Sequence, residues 1–216
     1  MAGGTKRLPR AVREQQMLDA AVKVFSANGF RDTSMDAIAA EAQISKPMLY
    51  LYYGSKDELF AACLNRESTR FIEAMSVGFD PHLKQRDQAR TVIYALLAYV
   101  DSNRESWRVL YRVAMGQASF AHLVSLSRSQ LIEMVAELLR RGTTDPTATD
   151  TDFELMAVAL VGAGEAVADR VSEGDIDLDE AADLMVAMGW HGLAGGKHHE
   201  EHAEPESSES EARSVG

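Results

Sequence analysis

The chain has 216 residues, 46% of them hydrophobic and 25% charged, with a formal net charge of −11 at pH 7. This is enough apolar material for one small domain plus a larger one, and it excludes a wholly disordered chain. A single cysteine, Cys63, excludes an intrachain disulfide or a cysteine-built zinc site.

No apolar stretch approaches membrane-spanning length, and Met1-Ala2-Gly3-Gly4-Thr5-Lys6-Arg7 lacks an apolar signal core, so a cytoplasmic protein is expected. The charge is unevenly spread. Residues 1–56 hold eight Lys or Arg against five Asp or Glu, which leaves −14 for the remainder. A basic end on an acidic body orients a molecule on a polyanion. Residues 1–9 read as a flexible basic arm. Lys6 and Arg7, with Arg10, either reach a groove or phosphates or serve as solubilising charges.

Leu18, Ala21, Val22 and Phe25 recur at i, i+3, i+4 and i+7, which predicts a helix from about Arg10 to Asn28, ended by Asn28-Gly29. Thr33-x-x-Asp36 reads as a capping box opening a short second helix with Met35, Ile38, Ala39 and Ala42 inward, and Gln43-Ile44 turns the chain. Ser45 is a natural N-cap for a third helix, with Lys46 and Pro47 in its first turn and Gly54 as its stop. Leu49 and Tyr53 face inward there, while Lys46, Met48, Tyr50 and Tyr52 project around the other sides. Ser55-x-x-Glu58 is the capping box of the next helix.

Helix, short helix, turn and short helix is the helix-turn-helix plan, and the third helix has the size of a recognition helix. Taken singly, Tyr50 and Tyr52 are ordinary core aromatics and Lys46 and Lys56 ordinary solvated charges; as a set on one short helix they favour DNA. Hydroxyls and Lys56 near helix N-termini suit phosphates. Lys46 suits guanine O6 or N7, and Pro47 and Met48 suit a thymine methyl.

Residues 10–60 resemble the DNA-binding domain of the TetR family of bacterial transcriptional regulators. The resemblance rests on Phe25…Asn28-Gly29-Phe30, Thr33-Ser34-Met35, Ile38-Ala39 and Ile44-Ser45-Lys46-Pro47-x-Leu49-Tyr50-x-Tyr52-Tyr53-x-Ser55-Lys56. Tyr53 departs from the family's frequent phenylalanine, and a phenol there keeps its ring inside and its hydroxyl at the edge. The resemblance implies that Thr33 or Ser34, Ser45, Lys46, Pro47, Met48, Tyr50, Tyr52 and Lys56 touch a double-stranded, palindromic operator as part of a homodimer.

Beyond Lys56 helices are predicted throughout: Ser55 to about Gly78, then Asp87–Asn103, Glu105–Gly116, Ser119–Arg141, Asp150–Ser172 and Asp177–His191. The fold class is therefore all-α with about nine helices. A helix-turn-helix domain spans 10–56, a helical effector-binding and dimerisation domain 57–194, and a disordered acidic tail 195–216. Phe71, Met75, Tyr94, Leu97, Trp107, Tyr111, Met115, Phe120, Leu123, Leu131 and Met134 give the middle helices an aromatic and methionine-rich interior, read either as plain core or as the lining of an apolar-effector pocket. Arg128, like Arg108 and Arg112, stands among them as a carboxylate or phosphate receptor or as a surface charge. The helix after Ser55 touches both domains and is the candidate lever between them.

In the penultimate helix Phe153, Leu160 and Val167 lie seven apart with Gly164 in the same stripe, and Ala181, Met185 and Met188 give the last helix a matching face. These seven form the dimer interface that the resemblance implies, a two-fold four-helix bundle; the alternative is a monomer core. Arg7-Leu8-Pro9-Arg10, the Ser45–Tyr50 motif and Gly189-Trp190-His191-Gly192-Leu193 resemble actinobacterial members of the family that control lipid genes. That likeness implies a long-chain acyl effector such as acyl-CoA, with an efflux-pump regulator responding to an apolar xenobiotic as the alternative.

No cofactor, metal site or catalytic set is expected. His198-His199-Glu200-Glu201-His202 lies in the tail, and the chain has neither a Gly-x-Ser-x-Gly elbow nor a phosphate-binding glycine loop. An enzyme, or an architectural DNA-binding protein without a ligand, is the distant alternative. Cys63 reads as a small buried hydrophobe, with a thiol sensor as the minority reading.

Overall fold

A computed structural model describes residues 9–77, 80, 82–142, 146–174 and 176–194. The expected arm up to residue 8 and the tail from 195, with its histidines, lie outside the described residues.

The first helix, α1 (Arg10–Asp32), buries Met17, Leu18, Ala21, Val22 and Phe25. Gly29 interrupts it at φ +75°, a conformation that suits a residue without a Cβ, and one further turn runs to Asp32. The break lets Phe30 fold back on Phe25, with ring centroids 5.9 Å apart.

The cap expected at Thr33 falls one residue later and is a single hydroxyl cap rather than a box. Ser34 Oγ accepts from the N–H of Ala37 (3.1 Å) and opens α2 (Met35–Glu41). Thr33 is instead buried, and its hydroxyl donates to the carbonyl of Gly29 at 2.6 Å. Gln43, at φ +54°, makes the turn into α3 (Lys46–Tyr52), and the N–H of Ile44 closes it on the carbonyl of Ala39.

Ser55 Oγ accepts from the N–H of Glu58, and the Glu58 carboxylate accepts from the N–H of Gly54, starting α4 (Lys56–Val77). Then come α5 (Gln85–Ser102), α6 (Arg104–Trp107), α7 (Ala121–Gly142), α8 (Asp150–Glu173) and α9 (Leu178–Ala194). The described residues form nine α-helices and no strand, matching the expected class.

The helix expected over Glu105–Gly116 departs from α geometry after Trp107. Residues Arg108–Val113 are π-helical, and the N–H of Ala114 reaches back to the carbonyl of Val109. A wider turn brings residues four apart more nearly in line, and the Trp107 and Tyr111 rings stack with centroids 3.8 Å apart. Both rings face the interior between α4 and α8.

A continuous apolar core runs from α1 to α9. At the join between the first three helices and the rest, Phe60 touches Phe25, Phe30 and Phe120 at centroid distances of 4.8–5.0 Å. Phe120, expected in a pocket, is thus part of a solid aromatic joint. A polar tie lies beside it. Arg66 on α4 donates to Asp19 Oδ1 of α1 at 2.7 Å and pairs with the fully buried Glu67 at 2.6 Å, so α4 is fastened to the DNA-side unit by charge as well as by packing.

Candidate nucleic-acid interface and effector cavity

Leu49 anchors α3. It is 0% exposed in the core shared with α1 and α2, and the positions about 200° round the helix from it face outward. The outer face carries Ser45, Lys46, Pro47, Tyr50 and Leu51, all exposed. Leu51, at 80%, adds an apolar side chain to the residues that the resemblance implies touch DNA. Its signal was there to read: two residues from Leu49, it falls nearly opposite the buried side. Ser45 makes no capping bond with its hydroxyl, which leaves that group to the surface.

Met48 and Tyr52 are half-buried at the edge of this face and lean on α1. The Arg13 guanidinium lies 3.5 Å from the Met48 sulfur, and that of Arg10 lies 5.3 Å from the Tyr52 ring centroid. Tyr53 is half-buried too, its hydroxyl pushed up to about 12 by burial and then by the nearby Glu14 carboxylate. Lys46 Nζ is paired with Asp36 Oδ2 at 2.8 Å, and that hydrogen bond raises the ammonium's pKa. Asp36 therefore steadies Lys46 at the start of α3 and also competes with any anion for it.

Two predicted DNA contacts are corrected. Lys56 turns inward, donating to the carbonyls of Phe30 (2.8 Å), Thr33 (2.9 Å) and Arg31 (3.2 Å), with its ammonium 4.6 Å from the Phe30 ring centroid. Those carbonyls close the end of α1, and a cation satisfies them better than water does. Thr33 is the second, 3% exposed with its hydroxyl spent on Gly29. Ser34, exposed at the start of α2, is the hydroxyl residue left on the outside.

The larger unit is hollow. A cavity of about 150 Å³ lies among α4, α5, the π turn, α7, α8 and α9. Six of the predicted residues are in its wall: Phe71, Met75, Trp107, Tyr111, Leu131 and Met134. Leu123 borders a smaller void of about 30 Å³ that shares Phe71, Tyr111 and Leu131 with the main one. On the opposite side a space of about 110 Å³ shares Ile93, Leu160 and Met185 and extends to Gln85 and Gln88. Tyr94 and Met115 are corrections, being exposed rather than lining, and Leu97 is buried in solid packing. Arg128 is not in the wall either: its Nε donates to Glu165 at 3.0 Å, and it is Glu165 that faces the space.

The predicted dimer stripe is also corrected. Leu160, Gly164 and Met185 line the cavity, Phe153 and Ala181 are buried within the chain, and Val167 packs half-buried against the core. Of the seven, Met188 alone is well exposed. The free apolar face of α8 and α9 is the opposite one, with Leu155 (63%), Val158, Leu184 (60%) and Met188. On a helix apolar nearly all round, seven-residue spacing marks two faces equally, and only packing says which one is turned in. Cys63 is buried, and burial pushes its thiol up to about 12, leaving it neutral and unreactive.

Residues 17–63 match the family described as bacterial regulatory proteins, tetR family, and residues 85–192 match the tetracyclin repressor-like C-terminal domain. The crystal structure of a TetR-like transcriptional regulator from Rhodococcus sp. RHA1 superposes with a TM-score of 0.77 at 61% identity, covering 88% of this chain and 100% of that one. The chain belongs to the TetR family. The helix-turn-helix-type transcriptional activator FasR of Mycolicibacterium smegmatis is 28% identical over 199 residues, 89% of this chain and 90% of FasR. The repressor SCO4008 of Streptomyces coelicolor is 33% identical over 185 residues, 77% of this chain and 92% of SCO4008. FadR of Bacillus subtilis, solved in complex with stearoyl-CoA, shares the fold with a TM-score of 0.71 at 15% identity, covering 84% of this chain and 98% of that one.

TetR regulators bind DNA as dimers and take small ligands. This chain is a helix-turn-helix transcriptional regulator. Among its described residues no helix is long and apolar enough to cross a membrane.

Proposed function

We propose that the protein is a homodimeric cytoplasmic repressor that holds a palindromic operator through residues 10–56 and releases it when residues 57–194 take up a long-chain acyl effector, such as an acyl-CoA. The observation that carries the DNA reading is the outer face of α3, where Ser45, Lys46, Pro47, Tyr50 and Leu51 are exposed while Leu49 is buried. Ser34 adds a hydroxyl at the start of α2, and Met48 and Tyr52 border the face. The dimer reading rests on the uncovered Leu155, Val158, Leu184 and Met188, an apolar surface that a two-fold partner would bury.

For the effector, an apolar cavity of about 150 Å³ is the size that admits a benzene-sized guest. The adjoining spaces that share its walls lengthen it in the way a chain-like ligand needs. The stearoyl-CoA complex of FadR supports a lipid effector. By linkage, an effector that prefers a dimer with displaced recognition helices weakens operator binding by the same factor that the operator weakens effector binding.

Capture and sequencing of genomic fragments supplies the operator and the regulated genes. Lys46→Ala and Tyr50→Ala should each abolish the operator shift while leaving helicity and dimerisation intact, and retained binding in both variants refutes the DNA reading. Leu155→Glu with Leu184→Glu should yield a monomer by light scattering. A panel of acyl-CoAs that changes neither melting temperature nor operator affinity refutes the effector.

A further inference from the structure

Among the described residues, Glu67 of α4 is the one charged side chain that is fully buried. Its Oε1 accepts from Arg66 at 2.6 Å and stands 3.6 Å from the Arg70 guanidinium. Its Oε2 is buried without a hydrogen-bond partner, and so is the hydroxyl of Tyr99 on α5; among the described residues these two side-chain atoms alone are so placed.

The two groups share one neighbourhood. Phe71 lies one turn of α4 beyond Glu67 on the same face, and the Tyr99 ring meets the Phe71 ring edge-on with centroids 5.7 Å apart. Burial pushes the Tyr99 hydroxyl up to about 12, and Glu67 is the charge that acts on it most, ahead of Arg70 and Arg66. A phenol that keeps its proton thus stands near an acceptor that lacks a donor.

Each member of the pair also leads elsewhere. Arg66, only 11% exposed, is the clamp on α1, donating to Asp19 at 2.7 Å and to the carbonyl and side chain of Gln15 at 3.3 and 3.2 Å. Phe71, on which Tyr99 rests, lines the main cavity.

We infer that Glu67 is a positioning residue contested by two donors: it holds Arg66 against α1 in the arrangement described, and a guest that displaces Phe71 and Tyr99 brings the phenol onto Glu67 and loosens that hold. A buried donor and a buried acceptor left apart both cost stability, so their bond is favoured once they come within reach. A carboxylate that turns an oxygen to the phenol shares its charge there and attracts the guanidinium less. The inference rests on the effector reading above and supplies its route from cavity to α1.

The test uses the full-length protein and Tyr99→Phe, which removes only the hydroxyl. In the wild-type background the substitution should leave the melting temperature unchanged or slightly raised, since no bond is lost. In Arg66→Gln, where Glu67 has lost its guanidinium and turns to the phenol, the same substitution should lower the melting temperature by about 2–4 °C, as for one hydrogen bond. Should Arg66→Gln not fold, Arg66→Lys serves, because an ammonium cannot bridge Asp19 and Glu67 as a guanidinium fork does. With stearoyl-CoA as probe, operator affinity should fall in the wild type. In Tyr99→Phe that fall should shrink about fivefold or more while calorimetry shows the probe still bound. A melting temperature lowered equally in both backgrounds, or a probe response unchanged in Tyr99→Phe, overturns the contest for Glu67 and leaves the effector reading standing. A wild type indifferent to stearoyl-CoA counts against the effector reading, and the melting comparison then decides the contest by itself.

Discussion

Around Leu49 and around Phe71 the same kinds of side chain meet with opposite results. In the first three helices Leu49, Ile38, Phe25 and Met17 are all 0% exposed. In the larger unit Phe71, Trp107, Tyr111 and Met134 ring a void. The small unit must hold a short helix rigid, and a seven-residue helix with one buried leucine has no stability of its own. The large unit has long helices that support one another, so it tolerates a hole. Tight packing goes with presenting a surface, and loose packing with receiving a guest.

That contrast is open to measurement. Leu49→Ala should cost about 2–5 kcal/mol and melt the DNA-side unit, and more than Leu131→Ala, whose side chain already borders empty space and has fewer contacts to lose. Thermal unfolding of the two variants checks the order; equal costs would deny that the units differ in packing.

Thr33→Val should cost about 1–2 kcal/mol, because the Gly29 carbonyl loses a buried donor, and should leave the operator affinity of the folded protein unchanged. Ser45→Ala should do the reverse, weakening operator binding without moving the urea midpoint. Gly164→Ala should stabilise by about 0.5–1 kcal/mol through helix propensity. Its Cβ would meet Met185 Cε at 3.4 Å in ordinary contact, so the space it takes comes from the cavity and an acyl-CoA that binds the wild type should bind more weakly. The smallest effect is at Asp36→Asn, which frees Lys46 from its ion pair and removes a negative charge from the DNA-facing side. Operator affinity should rise a few-fold at low salt and return to the wild-type value at high salt in a titration.

The two units also differed in how far they could be read beforehand. Leu49 inward and Tyr50 outward follow from positions within one short helix between recognisable caps. Thr33 and Lys56 both turn back to carbonyls of the preceding chain, one helical turn away for Thr33 and far away in sequence for Lys56. The hydroxyl that seemed a cap was claimed by a carbonyl of the preceding helix, and Lys56 is held by carbonyls from 23 to 26 residues away. Leu160 and Met185 share the stripe expected to meet a partner subunit and line a cavity in their own, since spacing reports that a stripe exists and says nothing of what it meets.

The order of the helices, their caps and the buried side of α3 are local matters, decided by side chains within a turn or two of each other, and the amino-acid sequence determined them. Which face of α8 turns inward, where the aromatic side chains leave a void, and which charges are spent on carbonyls rather than left for DNA depend on contacts between segments far apart in the chain. Those were decided only when the helices packed, because a helix with apolar residues on every side has no preferred partner until its neighbours are in place.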